Sequence, residues 1–225
     1  MAAPIIARRL AVSGVVQGVG FRPFVYQLAR QHQLSGHVAN TAGGVSILLE
    51  GPEPSLDRFA HELTHRHPPL ALISAVESTP QTVSGLCQFT IIQSDAGDAR
   101  DTLISPDVCV CEDCLREMFD PRDRRYHYPF INCTNCGPRY TIIADIPYDR
   151  PQTSMGRFTM CAQCRAEYDD PQDRRFHAQP NACPRCGPHV QLLNAEGAPV
   201  PTDTPIARTT ELLKKGHIVA IKGLG

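Results

Sequence analysis

The stretch VSGVVQGVGFRPFVYQLA, residues 12–29, decides how the N-terminal part of the chain is read. It closes a strand, turns on Gly14, Gly18 and Gly20, and opens a helix at Phe21-Arg22-Pro23. PFVYQLARQHQL places Phe24, Val25, Leu28 and Ala29 on one helical face. Pro23 suits the first turn of that helix, where its missing N–H costs nothing. Upstream, IARRLAVSG reads as the first strand.

Working outward, GHVANTAGGVSILLEG predicts two strands joined by a tight turn at Ala42-Gly43-Gly44. PSLDRFAHELTHR predicts a second helix with Leu56, Phe59, Ala60 and Leu63 on one side, and ALISAVEST and CQFTIIQS predict two more strands. The order βαββαβ plus a strand points to an α+β fold over residues 5–93, a ferredoxin-like sandwich of two helices on an antiparallel sheet.

Glycines feeding a helix N-terminus suggest an anion site, because backbone N–H groups and the positive dipole end face the same point. Arg22 opposes that dipole unless an anion lies between them. The loop is no dinucleotide fingerprint, since Pro23 stands at the third glycine position, and no Gly-Lys-Ser/Thr follows to make a Walker loop.

The 225 residues are 42% apolar, enough for a sizeable core and for more than one domain. A net charge of −1 gives no bulk argument for nucleic acid or an anionic membrane. No apolar run approaches the roughly 20 residues of a membrane span. The opening MAAPIIARRLAVSG is too short and too basic for a secretion signal, so the expectation is a cytoplasmic protein. In that reducing compartment ten cysteines point to metal or catalysis rather than to disulfides.

Eight of the ten form Cys-x-x-Cys pairs: Cys111/Cys114, Cys133/Cys136, Cys161/Cys164 and Cys183/Cys186, with Cys87 and Cys109 outside the scheme. CEDCLREMFDPRDRRYHYPFINCTNCGPR recurs fifty positions later as CAQCRAEYDDPQDRRFHAQPNACPRCGPH, so residues 106–190 are a duplicated module. Two Cys-x-x-Cys turns per copy suit a closed, structural tetrahedral Zn²⁺ site, two ions in all. Duplication favours one ion per copy; a nested pairing, first pair with last, also fits. Arg124, Arg125, Arg174 and Arg175 are placed to offset thiolate charge, and His127 and His177 are subsidiary ligand candidates. Residues 94–105 read as a linker. From Thr204, TPIARTTELLKKGHIVAIKGLG predicts a helix, a Gly216 stop and a strand Ile218–Ile221, too little to bury a core alone and so the opening of a third domain over 203–225.

SGVVQGVGFR, residues 13–22, closely resembles the acylphosphatase signature. The resemblance implies that the amides of Gln17, Gly18, Val19, Gly20, Phe21 and Arg22 bind phosphate and that Arg22 binds an acyl phosphate. It also implies that Asn40, in GHVANTAGG, orients the attacking water. Ala39 stands where that family often has a basic residue, and Gly43-Gly44 replaces Asp-Gly.

The whole chain resembles hydrogenase maturation carbamoyltransferases, the HypF family, most specifically in RRYHYPFINCTNCGPRYTII and DRRFHAQPNACPRCGPH. The resemblance implies cleavage of carbamoyl phosphate to carbamate and phosphate in the first domain. A later domain, resembling threonylcarbamoyl-adenylate synthases and only begun at 203–225, would use ATP to form carbamoyl adenylate. The carbamoyl group would then pass to the C-terminal cysteine of a HypE partner and become the cyanide ligand of a nickel–iron centre. The alternative is a zinc-dependent protein- or nucleic-acid-binding module with an inactive acylphosphatase-like domain.

Overall fold

The glycine loop sits at one end of a five-stranded sheet. A computed structural model of the chain describes residues 4–92, 103 and 106–222. The linker expected over 94–105, apart from position 103, and residues 223–225 lie outside the described residues. The first unit runs β1 (Ile5–Val15), α1 (Phe21–Gln31), β2 (Ser35–Thr41), β3 (Gly44–Pro52), α2 (Glu53–His65), β4 (Leu72–Gln81) and β5 (Phe89–Ile91). Strand order is β4-β1-β3-β2-β5. β1 pairs antiparallel with β3 and β4, and β2 pairs antiparallel with β3. The short edge strand β5 departs from the all-antiparallel expectation: it runs parallel to β2.

The helices pack on the sheet through the faces their periodicity marks. Val25, Leu28 and Ala29 of α1 and Leu56, Phe59 and Leu63 of α2 are buried with Leu10, Val12, Val38, Val45, Ile47 and Leu49 of the strands. Each large side chain contributes about 1.5–3 kcal/mol by leaving water. Phe24 and Ala60, expected on those faces, are only half-buried at their edges. Glu50, on β3, is 2% exposed. Its carboxylate accepts the backbone N–H groups of Ser84, Gly85 and Leu86 at 2.6, 3.0 and 2.9 Å, which ties the connection from β4 to β5 onto the sheet.

The second unit has almost no regular structure. Its two copies each carry one short helix, α3 (Glu112–Phe119) and α4 (Ala162–Asp169), at the same place in the repeat. Between them run 3₁₀ turns such as Thr134–Cys136, Arg150–Gln152 and Ser154–Arg157. α5 (Pro205–Lys214) follows, and Gly216 stops it at φ 82°. The strand expected at Ile218–Ile221 does not form. Ile218 and Ile221 are 101% and 79% exposed, and a strand needs a neighbour for its N–H and C=O groups, which no described residue supplies. Among the described residues no helix is long and apolar enough to cross a membrane.

Candidate functional site

Gly20 caps α1 in the left-handed region, at φ 75°, and Gly18 sits at φ 72°. These conformations turn the loop 17–22 across the helix N-terminus, whose first N–H groups have no intrahelical acceptor. Gly18 has a second constraint. A Cβ there would lie 2.8 Å from Pro138 Cβ and 2.9 Å from Tyr148 Cε1, so the duplicated module presses directly on the loop. Gly18→Ala is expected to destabilise the chain by about 1–3 kcal/mol, read as a lower thermal midpoint, because it combines backbone strain with a clash.

Arg22 and Asn40 come together, both buried beside the loop. Their partner is unexpected. Arg22 Nη2 donates to the Tyr148 carbonyl at 3.3 Å, and Asn40 Nδ2 donates to the same oxygen at 3.1 Å. Arg22 Nη1 pairs with Asp149 Oδ1 at 2.7 Å. Asn40 Oδ1, on the other side of the amide, is buried with no hydrogen-bond partner among the described residues. Gln17 acts through its side chain: Nε2 donates to Thr41 O and Gly44 O, each at 2.8 Å, and Oε1 accepts the Tyr148 N–H at 2.7 Å. The strand end, the β2–β3 turn and the duplicated module thus meet on one buried glutamine.

The loop side of Arg22 holds a cavity of only ≈ 20 Å³, walled by Gly18, Gly20, Asn132, Thr134 and Tyr148. That is room for about one water. On the other side lies a cavity of ≈ 340 Å³, walled by Arg22, Pro147, Asp149, Tyr168, His177 and Gln179. Burial, and then the charge of Arg22, lower the His177 pKa to about 4, so its ring is neutral near pH 7. The repeat makes His127 and His177 look equivalent, but His127 is exposed and stacks on Tyr126, with ring centroids 3.8 Å apart. Sequence reasoning missed Tyr148, Asp149 and His177 as neighbours of Arg22. One signal was available: residues 140–160 fall between the matched copies and have no counterpart in the repeat.

The cysteines group within copies. Cys111, Cys114, Cys133 and Cys136 form one cluster and Cys161, Cys164, Cys183 and Cys186 the other, with the four sulfurs of each within 4.8 Å of one another. Four ligands 2.3 Å from a Zn²⁺ ion would stand about 3.8 Å apart at the corners of a tetrahedron. In the first cluster Cys111–Cys133, Cys133–Cys136 and Cys114–Cys136 are 3.6, 3.8 and 3.6 Å apart. In the second, Cys161–Cys183, Cys183–Cys186 and Cys164–Cys186 are 3.8, 3.8 and 3.6 Å apart. Disulfide sulfurs would lie about 2 Å apart. Contacts with the Cys133 and Cys136 thiols, and then burial, raise the Cys114 pKa, and burial lifts Cys164 to about 12. A cation is what lets four crowded thiols ionise together. Both clusters are therefore compatible with zinc, and the two histidines stand outside them.

The four arginines reach mainly across the copies, three of them to a cysteine sulfur. Arg124 donates to Cys164 Sγ from Nη1 and Nη2, both at 3.3 Å, and Arg174 Nη1 donates to Cys114 Sγ at 2.9 Å. Arg125 Nη1 donates to Glu167 Oε1 at 2.9 Å, while Arg175 Nη2 binds Glu117 Oε2. The backbones repeat the exchange: Arg125 Nε donates to Ala182 O at 2.9 Å and Arg175 Nε to Asn132 O at 3.0 Å. Burial works against the charge on Glu167, but bonds from Arg125 and Arg124 outweigh it and hold the carboxyl at about 2. Each copy thus closes the other's cluster.

A ferredoxin-like sheet with a glycine loop, a buried arginine and a buried asparagine defines an acylphosphatase-type domain, here joined to twin Cys₄ fingers. The acylphosphatase family matches residues 8–91, and the HypF finger family matches residues 110–143 and 160–193. An acylphosphatase of Deinococcus radiodurans is 43% identical over 36% of this chain and 92% of its own. Carbamoyltransferase HypF2 of Cupriavidus necator is 54% identical over 96% of this chain but only 27% of its own length. A crystal structure of full-length HypF in the phosphate- and nucleotide-bound form superposes with a TM-score of 0.90 at 47% identity, covering 100% of this chain and 29% of that one. The chain belongs to the HypF family and corresponds to the N-terminal part of its members.

Proposed function

We propose that the chain is the carbamoyl-phosphate-cleaving part of a HypF carbamoyltransferase. The observation that carries this reading is the convergence of Arg22 and Asn40 on one oxygen, at 3.3 and 3.1 Å, beside a helix N-terminus. An oxygen held there by a guanidinium and an amide occupies the kind of place a phosphoryl group or its attacking water would take. The phosphate lies on the amides of residues 17–22, and Arg22 neutralises charge on the phosphoryl oxygens. Asn40 donates from Nδ2 to the oxygen held between it and Arg22, and accepts a water hydrogen at Oδ1. Water bonds to phosphorus, the bond from phosphorus to the carbamoyl oxygen breaks, and carbamate leaves with phosphate as the second product. An acyl phosphate is an activated anhydride, so positioning and charge stabilisation suffice without a protein nucleophile.

Two zinc ions, one per Cys₄ cluster, are structural in this reading, because four thiolates leave no open coordination position. The reading places the protein in the cytoplasm, where its thiols stay reduced for metal. Residues from 203 onward open a domain that, in a full-length protein, uses ATP to form carbamoyl adenylate and serves a HypE partner. The nucleic-acid reading loses its best candidates: Arg124, Arg125, Arg174 and Arg175 are committed to Glu117, Glu167 and cysteine sulfurs. The test is phosphate release from carbamoyl phosphate. The chain is expected to release phosphate, and Arg22→Ala to lower the rate about a hundredfold to a thousandfold. Release that is absent, or indifferent to Arg22, would falsify the reading.

A further inference from the structure

The anion site already has an occupant, and it is part of the chain. Asp149 gives Arg22 a carboxylate at 2.7 Å, and Tyr148 gives Arg22 and Asn40 a shared carbonyl oxygen. Each group copies one feature of an acyl phosphate: a negative charge on the guanidinium, and an oxygen between the two donors. The ≈ 20 Å³ left beside the loop is too small for a phosphate group, so substrate and this segment cannot hold the same place at once.

We propose that Pro147–Asp149 is an internal competitor of the anion site, a strap supplied by the twin-finger module that an incoming acyl phosphate must displace. The inference rests on the reading of the loop, Arg22 and Asn40 as an anion site. The strap is secured on both flanks. The Tyr148 N–H donates to Gln17 Oε1 at 2.7 Å, which fixes it to the sheet domain. Arg150, next along, is buried in the second copy, with Nη1 donating to Gln179 O at 2.6 Å and Asn181 O at 3.0 Å, and Nη2 to Phe158 O at 2.8 Å. Movement of the second finger against the loop therefore carries the strap with it. Because substrate binds only the withdrawn state, its apparent affinity is the intrinsic affinity reduced by the fraction of molecules with the strap withdrawn. Acyl-phosphate cleavage is thereby tied to the position of the fingers.

The sign of the effect separates this role from a merely orienting one. If Asp149 competes, removing its charge tightens anion binding; if it only holds Arg22 in place, removal weakens binding. The experiment is a titration of the whole chain, metal-loaded, with inorganic phosphate, comparing wild type, Asp149→Ala, the isosteric Asp149→Asn, and Arg22→Ala. Both Asp149 variants are expected to bind phosphate about tenfold more tightly or better, and to show a lower KM for carbamoyl phosphate. Unchanged or weaker binding in the Asn variant, which keeps the shape of the site, overturns the strap. Wild-type binding that does not depend on Arg22, or no binding by wild type and both Asp149 variants, overturns the anion site itself and the strap with it. Binding that appears only once Asp149 is changed supports the strap.

Discussion

Stripping metal from the chain with a chelator is expected to unfold the residues from Cys111 to Cys186 while the sheet domain stays folded. The finger module has little else to hold it. Its buried apolar set around the first cluster is Tyr128, Ile131, Met155 and Ala182 besides the cysteines, and the second cluster adds Met160. Its helices have eight residues each, too short to persist alone. A structural Zn²⁺ contributes about 10–16 kcal/mol to such a module, comparable to or larger than the stability of a whole domain. The sheet core, by contrast, shares no residue with either cluster. Hydrogen exchange should show the finger amides losing protection on chelation while those of β1 and β3 keep it. Metal analysis should return two ions per chain before treatment. Because each copy's arginines close the other's cluster, Cys164→Ala is expected to lower occupancy of both sites. A second finger that stays folded without metal, or one ion per chain, would contradict this account.

Arg125→Met is expected to cost about 3–5 kcal/mol, the larger of the effects reachable without touching a cysteine. The Arg125 side chain is 2% exposed. Besides Ala182 O and Glu167, its Nη2 reaches Asn181 Oδ1 at 3.0 Å and Cys164 Sγ at 3.6 Å. Methionine fills much of the volume but leaves a half-buried carboxylate and a buried amide with fewer donors. Removing one member of a buried ion pair costs more than the pair contributes, because the other charge stays uncompensated. Arg124 also reaches Glu167, at 2.6 Å, and moderates the loss. Denaturant unfolding of the metal-loaded chain should show a lower midpoint for the finger transition. Arg175→Met, at the equivalent place in the other copy, should behave alike. An effect below about 1 kcal/mol would place Arg125 among ordinary surface arginines.

Much of this molecule is local in origin, and that part is legible in the sequence. The period of Val25, Leu28 and Ala29 marks a helix face because burial acts on every third or fourth residue whatever the rest of the chain does. Gly18 and Gly20 mark the loop because few other residues adopt positive φ there. The short Cys-x-x-Cys turns aim two sulfurs at one point, and the fifty-residue repeat favours the grouping within copies that the structure adopts. The predicted strand Ile218–Ile221 has the local pattern without a partner, and pattern alone does not pair a strand.

What the sequence left open depends on contacts between segments remote along the chain. Nothing in Asp-Pro-x-Asp-Arg-Arg states whether its arginines serve their own cluster or the neighbouring one. That is decided by how two equal modules pack, and a duplication looks the same either way. The two histidines sit at equivalent positions of the repeat, yet only His177 faces Arg22, because docking against the sheet domain breaks the symmetry of the pair. Tyr148 and Asp149 carry no motif at all. Their role follows from a close approach at Gly18, which brings a carbonyl and a carboxylate onto donors that a reader of the sequence would have reserved for substrate. The sequence by itself determined the helix faces, the glycine loop and the Cys-x-x-Cys pairs, since each is fixed by short-range spacing. Only the tertiary structure decided what those groups face, since that is set by the packing of one unit on another.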